Sequence, residues 1–109
     1  MRAGDLNRRI RIERASQVRD SVGGIKDVWV PIENGESVPA MFRPVRGREK
    51  FLEASERELS FRSARFTIRY RNDVKPKDRV VYEDQNWDIV YLAEVGKRDG
   101  LEISAEIVI

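Results

Sequence analysis

The chain has 109 residues, with 21 Lys or Arg against 19 Asp or Glu, a net charge of +2 and 37% charged residues. This balance suits one domain, residues 1–109, with a densely charged surface, and excludes the strong basic field of a non-specific nucleic-acid binder. Cysteine and histidine are both absent, which excludes disulfides, thiolate metal sites and a histidine general base.

Arg8 to Arg14 alternates: Ile10 and Ile12 share a side with Leu6, and Arg9, Arg11 and Glu13 take the other. This pattern predicts a half-buried strand. Ala15 to Gly24 is polar and ends in Gly23-Gly24, a hairpin-loop signature. Ile25 to Ile32 reads as a second strand with Val28, Val30 and Ile32 on one face and Trp29 on the other. Pro31 places that strand at an edge or a bulge. After an Asn34-Gly35 turn, Ser37 to Val45 is a third strand carrying Val38, Ala40 and Phe42.

Residues 46–60 change character. Arg48 to Glu58 is rich in helix formers, its apolar content is thin, and Glu53 and Arg57 stand i,i+4. The expectation is one short helix or long loop inserted between strands. It either packs lightly on the sheet as a solvated element or orders only against a neighbour, because so short a helix is marginal alone.

Phe61 to Arg71 is the fourth strand, with Phe66, Ile68 and Tyr70 on one face and Arg65, Thr67, Arg69 and Arg71 on the other. Asn72-Asp73 and Lys75 to Asp78 are turn material. Arg79 to Tyr82 is the fifth strand, and Asp84 to Asn86 links it to the sixth, Trp87 to Val95. Ile89 to Leu92 is apolar on both faces, which predicts a central strand. Leu101 to Ile109 is the last strand, with Leu101, Ile103, Ala105, Ile107 and Ile109 opposite Glu102, Ser104 and Glu106. Seven strand signals with one interruption predict an all-β fold, a small antiparallel barrel or sandwich.

Chemistry is sparse. Carboxylate pairs such as Glu53/Glu56 and Glu102/Glu106 read as solvated faces, and no Ser/His or Cys/His pairing offers a nucleophile. Neither a phosphate loop nor a cofactor motif is visible, so a non-enzyme without cofactor or metal is expected. The sharpest local signal is basic: Arg65, Arg69 and Arg71 on one strand face, with Arg62 nearby and no acid from Phe61 to Arg71. Such a stripe contacts phosphate or a neighbouring subunit, or it pairs across strands with acids such as Glu102 and Glu106. Trp29 and Trp87, on strands with apolar neighbours, read as core or subunit-interface residues. No apolar run reaches the ~20 residues of a membrane-spanning helix and the start is charged, so a soluble protein made and kept in the cytoplasm is expected.

Several short pieces recur together in order: Gly4-Asp5-Leu6 with Arg9-Ile10, then Asp20, Gly23-Gly24 and Trp29, then Val38-Pro39-Ala40. Pro44 through Gly47 and Glu49, Thr67 through Arg71, Arg79-Val80, Trp87-Asp88-Ile89, and Arg98 with Leu101-Glu102 follow. With these the chain resembles the head–tail joining (head-closure) proteins of tailed bacteriophages over nearly its whole length. Trp87 stands where that family often has Tyr, and the segment after Glu49 varies within it.

The resemblance implies a β-barrel subunit of a homo-oligomeric ring on the head connector. Such a ring closes the DNA channel, helps retain packaged DNA and provides the platform for the tail. Its implied partners are copies of itself, portal or adaptor proteins, a tail-terminator or tail-completion protein, and the double-stranded DNA in the channel. No membrane and no small-molecule substrate are implied. The location is the virion's head–tail interface, reached from the host cytoplasm. By position, the inserted segment with Arg46, Arg48, Glu49, Lys50, Phe51 and Leu52 is the candidate channel or subunit-interface element. The alternatives are a β-barrel nucleic-acid-binding module using Arg65, Arg69 and Arg71, and a completion protein on the tail side.

Overall fold

Strict alternation decides which side chains meet. On the fourth strand Ala64, Phe66 and Ile68 are buried while Arg65 and Arg69 are exposed, and on the seventh Leu101, Ile103 and Ala105 are buried against half-buried Glu102, Ser104 and Glu106. The computed structural model describes residues 2–45 and 61–108. After a 3-10 turn at Ala3–Asp5 come β1 (Arg8–Arg19), β2 (Ile25–Pro31), β3 (Val38–Val45), β4 (Phe61–Arg69), β5 (Arg79–Tyr82), β6 (Gln85–Val95) and β7 (Gly100–Val108).

All pairings are antiparallel, in the order β2-β1-β3-β4-β7-β6-β5, and β5 returns to pair with β1. Six strands therefore form a closed hydrogen-bonded circuit, in which each strand has a neighbour on both sides over part of its length. The all-β antiparallel expectation holds, and one sheet closing on itself replaces the two stacked sheets of a sandwich. Among the described residues only β2 lies outside the circuit, paired with β1 alone. Its Lys26 and Pro31 are residues that suit an edge.

Inside the circuit sit Ile10, Ile12, Phe66, Ile68, Val80 and Ile103, each nearly or fully buried. Phe42, Phe66, Tyr82 and Trp87 pack as an aromatic group, with Phe66 5.5 Å from both Tyr82 and Trp87 in edge-on contacts. Such pairs contribute ~0.5–1.5 kcal/mol each beyond their burial. The Asn34-Gly35 turn locks β1 to the chain before β3: Ile12 N–H donates to Gly35 O (2.9 Å), Ile32 N–H to Ile12 O (3.0 Å), and Gly35 N–H to Ile32 O (2.8 Å). A Cβ on Gly35 would lie 2.7 Å from Ile32 Cγ1 and 2.9 Å from Ile12 O, so only glycine fits without displacement.

The structure departs from the sequence reading at four places. Residues 15–19, expected in a loop, continue β1, because β2 supplies a ladder from Glu13↔Pro31 to Arg19↔Ile25 that polarity does not reveal. The turn is then only residues 20–24, where Asp20 Oδ1 accepts from Val22 N–H (3.0 Å) and Gly24 N–H (2.7 Å), and Gly23 takes φ +90°. Glu13, expected on the solvated face, is buried because Arg79 neutralises it. The fourth strand stops at Arg69, so Tyr70 is half-buried and not core. Finally, β6 is interior in the strand order but not covered on both faces: Val90 and Tyr91 are 58% and 64% exposed. A bulge causes this, since Ile89 pairs with Ala105 and Tyr91 with Ser104, leaving Val90 as the extra residue. The short helix or loop expected at 46–60 lies outside the described residues.

Candidate functional site

Two candidate surfaces came from the sequence. The first, Arg46, Arg48, Glu49, Lys50, Phe51 and Leu52, lies outside the described residues. The second is the basic face, which the structure divides. Arg65 and Arg69 point outward from β4 and are exposed. Arg71 lies beyond the strand's end, and its guanidinium is engaged within the chain.

Around Arg65 the register is informative. Its direct neighbour on β3 is Arg43, and on β7 it is Ser104. Glu102 and Glu106 stand diagonal to it, opposite Thr67 and Ser63. The acidic strand is therefore adjacent to the basic one, as cross-strand pairing requires. Among the described residues, however, neither Arg43 nor Arg65 forms an ion pair within 4 Å. Arg43 and Arg65 line a shallow cleft of about 320 Å³ with Met41, Thr67, Val95, Asp99 and Glu102. Two cations facing two carboxylates make this cleft nearly neutral. Two like charges directly opposite on a sheet cost stability unless an anion lies near, and Asp99 and Glu102 are close enough to moderate that cost. Arg43 was not singled out in the sequence, because the outward parity of β3 is readable but its register against β4 is not.

Arg69 and Arg71 border a different cleft, of about 410 Å³, whose wall includes Asn34, Ser37, Pro39 and Asn72. Here Arg71 is a structural tie. Its Nε and Nη2 donate to Asp73 Oδ1 (2.6 Å) and Oδ2 (2.8 Å), Nη2 also to Glu33 O (2.6 Å), and Nη1 to Asn34 O (3.2 Å). The hydrogen bond to Asp73 raises the Arg71 pKa, and the same bond holds the Asp73 carboxyl below the ordinary aspartate range. Arg71 thus joins the turn before β3 to the loop before β5.

That loop is fixed a second time from β1. Arg14 Nε and Nη2 donate to Asp78 Oδ1 (2.7 Å) and Oδ2 (3.0 Å), and Nη2 also reaches Asp73 O at 2.8 Å. Asp78 Oδ2 further accepts from Lys75 N–H at 2.8 Å. The Asp78 side chain is fully buried while that of Arg14 is 35% exposed. Hydrogen bonding to Asp78 is the main reason the Arg14 pKa is raised.

On the outer face of β1 and β5, Glu13 accepts from Arg79 Nε (2.9 Å) and pairs with Arg11 Nε at 3.2 Å. The Arg79 guanidinium lies 4.1 Å from the centre of the Trp29 ring, a cation–π contact that covers a ring the sequence placed away from the valines. Trp29 is thus half-buried through a charged neighbour and Trp87 is a core residue. Among the described residues no three His, Cys, Asp or Glu side chains gather as metal ligands, and no helix is long and apolar enough to cross a membrane. The charged clusters tie loops and strands together, and the outward-facing groups offer contact surface.

Comparison with known proteins gives a consistent picture. A family model described as phage head completion protein matches residues 1–108. The solution structure of protein SF1141 from Shigella flexneri 2a is similar, with 26% identity and a TM-score of 0.67 over 96% of this chain and 95% of that one. A chain from the virion of a native gene transfer agent particle shares the fold, with 19% identity and a TM-score of 0.60 over 94% of each chain. No curated protein matches the sequence.

Proposed function

The chain belongs to the phage head completion protein family, a structural role in the virion, and from that premise we propose that it assembles as a ring of identical subunits on the head connector. There it helps close the DNA channel and retain packaged DNA, and it provides the platform on which the tail docks. Its partners are copies of itself, portal or adaptor proteins on the head side, a tail-terminator or tail-completion protein on the tail side, and the double-stranded DNA between. Subunits fold in the host cytoplasm before assembly.

The observation that carries this reading is the extent of the family match, which takes in all seven strands and the inserted segment. The charge pattern is compatible with it. A net charge of +2 and a cleft in which Arg43 and Arg65 face Asp99 and Glu102 let DNA pass without the grip that phosphate neutralisation brings. The whole chain acts as one domain. Segment 46–60, with Arg46, Arg48, Glu49, Lys50, Phe51 and Leu52, is the element offered to the channel or to the next subunit.

Deletion of the gene in its phage or prophage, with negative-stain electron microscopy of the lysate, tests the role. Tailless heads that have lost their DNA, beside free tails, are expected. Complete virions would overturn the proposal. Phe51→Asp is expected to reproduce the defect while the purified chain keeps its β circular dichroism.

Arg43 and Arg65, without an ion-pair partner among the described residues, favour a second reading, in which the domain binds DNA through these residues and Arg69. Three phosphate contacts would give a log–log salt slope of roughly −2 to −3, and no binding at low salt would remove this reading.

A further inference from the structure

Two apolar surfaces of the circuit have no cover among the described residues. The first is the β1–β2 arm. Beyond Glu13 the only ladder to β1 among the described residues is the one from β2, so residues 14–30 form a two-stranded ribbon. A lone ribbon of two strands is marginal in water. Its register places Val18, Val28 and Val30 on the same parity as buried Ile12. The core-facing side of β1 therefore continues along the arm past the point where the core ends. Val18 and Val30 are 39% and 43% exposed, and Val22 at the tip is 88% exposed.

The second surface is the β6 bulge, which turns both Val90 and Tyr91 outward. It lies on β6, two steps from β1 by way of β5 in the six-strand circuit. Arm and bulge are thus different patches of one subunit. Different patches are what a head-to-tail contact needs, and such a contact generates a ring where the rotation between copies closes.

Charge complementarity pairs the two. Asp88 and Glu106 stand directly opposite each other next to the bulge. Two acids in that position repel unless a cation joins them. Arg79, across from Asp88 on β5, is committed to Glu13, and Arg65, diagonal to Glu106 in the cleft that Val90 also lines, makes no ion pair among the described residues. On the arm, Lys26 lies directly opposite Val18, on the valine face.

We propose that the β1–β2 arm of one copy docks on the Val90–Tyr91 bulge of the next, with Lys26 reaching Asp88 and Glu106. This contact is the repeating interface of the ring proposed above, and it rests on that reading. The valines cover Tyr91 and Val90, and the lysine brings a cation to an acidic pair that has no ion-pair partner among the described residues.

The chain has no cysteine, so cross-linking is free of background from it. Particles carrying V18C, Y91C or both are treated with a short bifunctional maleimide and run on denaturing gels. The double variant is expected to give a ladder of covalent multimers, and each single variant only monomer. Lys26→Glu in the double-cysteine background is expected to lose the ladder, and adding Asp88→Lys to restore it. Particles that contain the chain yet yield no ladder would overturn the docking while leaving the structural role intact. Dimers from V18C alone would also overturn it, because they mark a symmetric contact. Complete particles lacking the chain would overturn the proposed function and this contact together.

Discussion

Arg14 and Asp78 form one ion pair, but their removal is expected to cost unequal amounts. Arg14→Ala strands a carboxylate whose side chain is fully buried and whose remaining partner is the Lys75 N–H. Leaving a buried charge uncompensated costs ~3–5 kcal/mol. Asp78→Ala instead leaves a guanidinium that is already 35% exposed and can rehydrate by a small movement. Its cost is that of the lost charge-assisted bonds, ~1.5–3 kcal/mol. Against a total stability of ~5–15 kcal/mol the difference is readable, since ~1 kcal/mol moves the melting temperature of a domain this size by about 4–6 °C. Guanidinium unfolding at pH 7, followed by circular dichroism and compared at constant m, gives the ordering. The double variant is expected to cost less than the sum of the two, because the neighbouring groups share one network. An Asp78→Ala protein less stable than Arg14→Ala, or strict additivity, would refute the assignment of the penalty to buried charge.

Two further predictions concern the same end of the sheet. The Asp73 carboxyl, held low by Arg71, stabilises the fold above its unfolded pKa of ~3.9, and that contribution disappears as pH falls through the lower folded value. The stability gap between the wild type and Asp73→Asn should therefore narrow below about pH 4. It should also shrink in high salt, because the Asp73 side chain is 43% exposed. A gap independent of pH would show that the carboxylate's charge is not what matters. Gly35→Ala introduces a Cβ 2.7 Å from Ile32 Cγ1 and 2.9 Å from Ile12 O, an overpacking expected to cost ~1–3 kcal/mol in thermal unfolding. An unchanged melting temperature would mean that the turn can open without loss.

What the sequence made legible is whatever depends on local alternation. The inward set of β4 and β7, the edge position of β2 with its Pro31, and the Asn34-Gly35 turn all follow from period-2 patterning and turn chemistry. Register is not local, and each departure traces to it. Glu13 looked solvated until β5 brought Arg79 opposite it. Residues 15–19 looked like a loop because nothing in Ala15 to Arg19 indicates that β2 runs alongside. Arg71 continued the basic stripe on paper, but the strand ends at Arg69 and the loop carbonyls of Glu33 and Asn34 take its donors. Likewise Val90 and Tyr91 read as the buried centre of a strand because a bulge leaves no mark in the alternation of so short an apolar run.

Stability in this chain is distributed unevenly, and the distribution bears on its role. The closed circuit keeps its aromatic group and its buried isoleucines away from water, and each of its six strands has a paired neighbour on both sides. The arm beyond Glu13 has neither property: residues 15–27 are all exposed, and each strand has the other as its only ladder. Ion pairs join the two regimes at their boundary, where Glu13 holds Arg79 and Arg14 holds Asp78. In the contact proposed above, the arm would gain from a neighbouring copy the cover that the described residues do not give it, and would stiffen when that copy arrives. Under the proposed function that order of events is needed, because the proposed ring would block the passage if it closed before the head was filled. The weak point in the free subunit is then the arm, and hydrogen exchange should find its amides unprotected while those of β4 and β7 exchange only through global opening.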